Sequence, residues 1–209
     1  MEGVAMGQVG EWPDELIPLD AHPNPSDRYA AASWARQLLI RRDWVVVDTE
    51  TTGLTNTDQV LQVAVLDPSG RILVDTTVRP TCEIHPRASE VHGFTIESLG
   101  SAPTYDQVHD AIVSHLAGRR VIAYNSPFDQ RLLAQSAVAW GLPPVESLWE
   151  CAMRRYAQYV GSRRRPGSEY TWHKLPRGAE PEAIHGARDD CLLTLKLIRH
   201  MARPLVSSS

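Results

Sequence analysis

The chain has 209 residues, 43% of them hydrophobic and 22% charged, with a formal net charge of −4. That balance describes a soluble domain with a real core, and it excludes both a disordered chain and a generally basic nucleic-acid coat, though not an enzyme that holds nucleic acid through local arginines. Cys82, Cys151 and Cys191 stand far apart with no C-x-x-C pattern, and neither a basic-apolar leader nor a membrane-length apolar run occurs, so the expected setting is a reducing cytoplasm with no membrane partner.

Residues 1–25 are rich in proline, glycine and acids and predict a poorly ordered arm. A helix over 26–42 follows, capped by Ser26, with Tyr29, Trp34 and Leu38 as its apolar points. Three strand-like segments come next, at 44–48, 60–67 (VLQVAVLD) and 71–79 (RILVDTTVR). The tight link PSG between the last two predicts an antiparallel hairpin. A loop containing Pro80 and Pro86 leads to a helix over 104–117. RRVIAYN at 119–125 reads as a strand entering a helix over 126–140. A short strand at 147–151, a helix at 152–160, the loop RRRPGSE at 163–169 and a helix over 186–203 complete the body, leaving 204–209 as a tail. A hairpin followed by alternating helices and strands predicts an α/β fold, a mixed five-stranded sheet flanked by helices, with its active site at strand carboxyl ends.

The first strand, WVVV, runs into the acids of DTETTG. Period two puts Trp44, Val46, Asp48 and Glu50 on one face, so both carboxylates reach one point. A polar turn alone would explain Thr-Thr-Gly, but not two like charges gathered at the end of a buried strand. In YNSPFDQRLL, Asp129 shares a helical stripe with Leu132, Leu133, Ser136, Ala137 and Trp140, so it points into the core from the first turn. An acid in that turn is ordinary at a helix N-terminus; its place on the apolar stripe is not. In HGARDDC, Asp190 centres the stripe of Leu193, Thr194, Leu197 and Met201, while Asp189 falls on the side of Lys196 and His200 and is expected in solvent. His185 precedes the helix and stands on the loop entering it.

Four inward-facing acids suit hard ions that take oxygen ligands, and neutralising them takes roughly two Mg²⁺ or Mn²⁺ ions. A pair of such ions can hold the attacking and leaving oxygens of a phosphoryl displacement, and a neutral histidine beside it can take a proton from water. The expected chemistry is phosphodiester hydrolysis.

DTETTG, N-x-x-F-D and H-x-A-x-x-D, in this order, resemble the DnaQ-like 3′–5′ exonucleases of the DEDD type, and the histidine of the third motif marks the DEDDh subgroup. VLQVAVLD and VHGFTIESLGSAPTYDQV resemble further segments of the same family, so the resemblance spans about residues 43–203. It implies a ribonuclease H-like fold, metal ligands Asp48, Glu50, Asp129 and Asp190, and His185 as general base. Gln62 departs from the pattern, standing where the family often has glutamate; tuning rather than loss of activity is expected from it.

The family grips terminal nucleotides with the residues just after its first motif, which implies that Thr51, Thr52 and Leu54 contact the terminal sugar and base. Phe128 is either a stacking surface or part of the core. His92 either reaches the strand path or makes a local loop hydrogen bond. Arg163, Arg164 and Arg165 form the densest positive cluster and are either a grip on the substrate backbone or a solvated charge run. The implied partner is the 3′ end of DNA or RNA, single-stranded by preference. Two alternatives stand beside the exonuclease: a catalytically silent nucleic-acid-binding module, which would ordinarily have lost an acid or the histidine, and a hydrolase of short oligonucleotides.

Overall fold

The structure is a computed structural model that describes residues 21–175 and 186–205. Its elements are α1 (Pro25–Ile40), β1 (Trp44–Thr51), β2 (Val60–Leu66), β3 (Ile72–Thr77), α2 (Pro86–His92), α3 (Tyr105–Leu116), β4 (Arg120–Ala123), α4 (Ser126–Ala139), β5 (Leu148–Cys151), α5 (Ala152–Val160) and α6 (Ala187–Met201). The sheet has five strands in the order β3-β2-β1-β4-β5. β1–β2 and β2–β3 are antiparallel; β1–β4 and β4–β5 are parallel. This is the mixed sheet flanked by helices that the hairpin-first pattern predicts.

Alternation along β1 sorts the core into two layers. Trp44 and Val46 pack with Ala64, Ile122 and residues of α1, α5 and α6. Val45 and Val47 pack with Val63, Val65, Val121 and residues of α3 and α4. Asp48 and Glu50 continue the first series and emerge on the α6 face, whereas Thr49 continues the second and faces α4.

Three boundaries differ from expectation. β1 does not stop at Asp48: it stays paired with β2 through Glu50↔Gln62 and Thr51↔Val60, with an irregularity between those pairs. The acids therefore sit within a hydrogen-bonded ladder, a firmer mount than a strand end. The stretch after Pro80 is not all loop, because Pro86–His92 makes a short helix ended by Gly93 in the left-handed region. The arm expected over 1–25 is packed where the structure describes it: His22 is buried, its Nε2 hydrogen-bonding the Gln158 carbonyl at 3.0 Å. It lies over Gly161, the left-handed residue (φ +84°) that ends α5, where a Cβ would run into the His22 ring. Residues 1–20 lie outside the described residues.

α1 belongs to the same core. Ala31, Ala32, Ala35 and Leu38 are fully or almost fully buried against α5 and α6. Buried Arg28 donates to the carbonyls of Tyr159 at 2.6 Å and Val160 at 3.0 Å, closing the carbonyl end of α5. No described helix is long and apolar enough to cross a membrane.

Candidate active site

Three acids meet at the carboxyl end of β1. Asp48, Glu50 and Asp190 each offer an oxygen, and these atoms lie within 4.8 Å of one another. Glu50 and Asp190 are buried and Asp48 is half-buried. Such an all-oxygen set fits a hard divalent cation. Asp190 lies inside and Asp189 outside, beside Arg188, as the stripe on α6 predicts.

Asp129 comes to the same place from the opposite layer. Its carboxylate is 3% exposed across its residue and accepts a 2.8 Å hydrogen bond from the Thr49 hydroxyl. It stands beside the three-acid group rather than within it, coupled to Asp190 by charge. Burial pushes its pKa up to about 7, the Thr49 hydrogen bond offsets part of that, and the Asp190 charge adds to it. Behind the acids, Cys191 is fully enclosed, and burial together with the neighbouring carboxylates holds its thiol neutral. His185 lies outside the described residues; Gly186 and Ala187 lie within them.

Gln62 explains how α6 is mounted. Directly opposite Glu50 in the ladder, it accepts from the Ala187 backbone N–H at 3.1 Å and donates to Asp75 Oδ1 at 3.0 Å. The amide uses its two ends differently, which a carboxylate cannot do. A glutamate there would also add a negative charge beside Glu50 and Asp75. Gln62 thus fixes the first turn of the helix that carries Asp190.

The loop after the acids is stapled from within. The Asp58 carboxylate accepts from the Thr52 hydroxyl at 2.7 Å and from the Thr55 N–H and hydroxyl at 2.5 and 2.7 Å. Gly53 permits this, since a Cβ there would lie 2.8 Å from the Asp58 oxygens. Thr52 is fully buried and spent: its hydroxyl also accepts from the Gln59 N–H at 2.9 Å, and its backbone N–H and C=O bond Gln59 and His85. Thr51 is buried too, donating to the Gly53 carbonyl at 2.9 Å. Leu54 alone of the three is presented outward, 77% exposed. Arg131 on α4 donates to the Leu54 and Thr55 carbonyls at 3.3 and 2.9 Å while its guanidinium lies 5.4 Å from the Phe128 ring centre. Phe128 is half-buried against the α3–α4 layer. His92 is buried, its Nδ1 accepting from Phe94 N–H and its Nε2 bonding the Thr51 carbonyl, both at 3.1 Å. The Thr51 bond ties α2 to the end of β1.

The three arginines separate. Arg163 is half-buried, stacks 4.2 Å from the Tyr170 ring centre and donates to the Ser168 carbonyl. Arg164 and Arg165 are exposed. Asp58 and Arg131 carry no signal in the sequence beyond polar turn composition and a helix charge, and their roles emerge only from the fold.

The family profile described as RNase_T, Exonuclease, matches residues 45–198. An uncharacterised exonuclease of Escherichia phage 186 is 34% identical over 175 residues, covering 77% of this chain and 89% of its own. A DNA polymerase III subunit epsilon-like protein of Rhodobacter capsulatus is 31% identical over 174 residues, which is 80% of this chain but 25% of that protein. Among solved structures, exonuclease X in complex with 5′-overhanging duplex DNA matches at TM-score 0.51 and 25% identity, over 76% of this chain and 90% of that one. Exonuclease I of E. coli in complex with a dT13 oligonucleotide matches at TM-score 0.61 and 14% identity, over 77% and 41%, a likeness of fold. The sheet order, with helices on its flanks, is that of a ribonuclease H-like nuclease. Within that class, the chain belongs to the DnaQ-like exonuclease family and is an exonuclease of nucleic acid.

Proposed function

We propose that this protein removes nucleotides one at a time from the 3′ end of single-stranded nucleic acid by metal-dependent hydrolysis, with DNA the better substrate. The observation that carries this is the oxygen cluster of Asp48, Glu50 and Asp190 on the central strand, with Asp129 alongside. Those four acids would hold two Mg²⁺ or Mn²⁺ ions, which supply positive charge for the attacking and leaving oxygens of the phosphodiester. The rest falls to the chain itself. The Thr51–Leu54 turn presents Leu54 to the terminal base. His185, two residues before α6 in the sequence, takes the proton from the attacking water at an imidazole nitrogen. Gln62 keeps Asp190 in place while the strand enters. Exonuclease X and exonuclease I were solved with DNA, and this supports DNA over RNA.

The test uses one oligonucleotide labelled at either end, as DNA and as matched RNA, with Mg²⁺, Mn²⁺, Ca²⁺ or EDTA. A 5′ label is expected to yield a descending ladder, and a 3′ label an immediate mononucleotide. Ca²⁺ is expected to support little turnover, because its larger and looser shell misplaces the reacting groups. Full activity in excess EDTA would sink the metal-dependent mechanism, and an immediate mononucleotide from the 5′ label would reverse the polarity.

His185 yields a second expected result. If its imidazole accepts the proton, kcat rises with pH through the histidine range, near 6.5 for an unperturbed group. His185→Ala should lose most turnover, keep oligonucleotide binding and lose that limb of the profile. An unchanged pH limb in the variant would assign the proton transfer elsewhere.

A further inference from the structure

We propose that the hairpin between α5 and α6 carries a second nucleic-acid subsite, in which Trp172 stacks a base and Arg154, Arg164 and Arg165 hold phosphates. The strand in question is the one leading away from the cut end, so the inference rests on the exonuclease reading and extends it.

The hairpin is built rather than loose. Arg163 bridges to Tyr170 in antiparallel fashion, and Thr171 N–H donates to the Ser162 carbonyl at 2.8 Å. Arg163 braces it from inside, between the Tyr170 ring and the Ser168 carbonyl. The Tyr170 hydroxyl donates to Asp27 on α1 at 2.5 Å. On the far side of Trp172, His173 bonds the Ser162 hydroxyl at 3.0 Å and accepts from the Tyr124 hydroxyl through its carbonyl at 2.7 Å. Trp172 is therefore pinned through both chain neighbours, yet its side chain is 60% exposed. It lines two adjoining grooves of about 560 and 470 Å³, one flanked by Arg164 and Arg165, the other by Arg154. Glu169 lines both grooves and is the one acid among these cations.

Position favours a strand as the occupant. Ile122 pairs with Val46 in parallel register, and Tyr124, the residue that follows β4, packs in the same core layer as Val46. Neighbouring strands lie about 4.8 Å apart. The Tyr124 hydroxyl reaches the carbonyl of His173, the residue after Trp172. A fixed aromatic face between arginines binds unpaired nucleotides whatever their sequence: bases stack on the ring, and phosphates meet the cations.

The test compares dT3 with dT12. Trp172→Ala is expected to raise KM for dT12 about tenfold, with kcat moving far less, and to leave the trimer largely unaffected. Trp172→Phe should recover most of the loss. In an Asp190→Asn background, anisotropy of labelled dT12 should show a salt slope smaller by about 0.7 for each of Arg154, Arg164 and Arg165 replaced by alanine. Equal effects on both lengths, or none on either, would overturn the subsite. So would a self-association that Trp172→Ala abolishes while KM stays put, because the surface would then serve a second copy of the chain. If the wild type degraded neither oligonucleotide, the exonuclease reading would fall, and the anisotropy series would still decide on this surface.

Discussion

Replacing Asp190 by asparagine is expected to lower kcat by about a thousandfold or more, while Asp189→Asn leaves it within about twofold. The two residues are adjacent on α6 and chemically identical, so the comparison isolates position. Asp190 is buried among the oxygens of Asp48 and Glu50; Asp189 points outward beside Arg188. Asparagine keeps the shape but removes one anionic oxygen, so the fold persists while charge and coordination are lost. Asp48→Asn and Glu50→Gln are expected to behave like Asp190→Asn. A result in which Asp189 proved essential and Asp190 dispensable would mean that α6 is rotated relative to the structure.

Asp129→Asn is expected to abolish activity and at the same time to stabilise the metal-free protein, by an amount that grows with pH. The folded pKa of Asp129 is about 7, raised by burial from 3.8. A carboxyl whose folded pKa exceeds its unfolded one binds its proton more tightly in the native state. Its contribution to stability is therefore lost as pH rises from about 4 to about 7, and the penalty is complete above that. Asparagine still accepts the Thr49 hydroxyl but has no proton to lose. Urea unfolding in EDTA should show a small difference at pH 4.5, widening to about 2–4 kcal/mol at pH 8. Added Mg²⁺ should reverse the order, because it stabilises only the protein whose carboxylate it neutralises. A difference that stayed constant across pH would remove Asp129 as the group responsible.

These residues also mark how far the sequence reaches. Strand cores were legible because apolar runs such as VVV and VLQVAVL have few alternatives in a chain of this composition. Asp129 and Asp190 were legible because each sits on an apolar stripe where an acid has no local reason to be. The continuation of β1 through Glu50 was not, because polar residues paired in a ladder look the same in sequence as a turn; only the partner strand reveals them. The helix at Pro86–His92 was hidden because it is short, opens on a proline and carries little apolar pattern. Thr52 shows a different limit. A hydroxyl beside a catalytic motif suggests substrate, but here its hydrogen bonds all go to Asp58, Gln59 and Cys82. The separate fates of Arg163, Arg164 and Arg165 follow from Tyr170, which no local pattern links to them.

The way α1 is built in has a practical consequence for anyone cutting the gene. The matched family region begins at residue 45, and an expression fragment trimmed to it would look sensible on paper. Such a fragment would strip Ala31, Ala32, Ala35 and Leu38 from the faces of α5 and α6, leaving those helices greasy and open to water. It would also take away Arg28, leaving the carbonyls of Tyr159 and Val160 without their buried cation, and with it Asp27, the anchor of Tyr170. The expected product is insoluble or prone to clumping, even though every acid of the candidate site is still encoded. Fragments meant for crystals or assays should start no later than Ala21, so that His22 keeps its seat on Gly161.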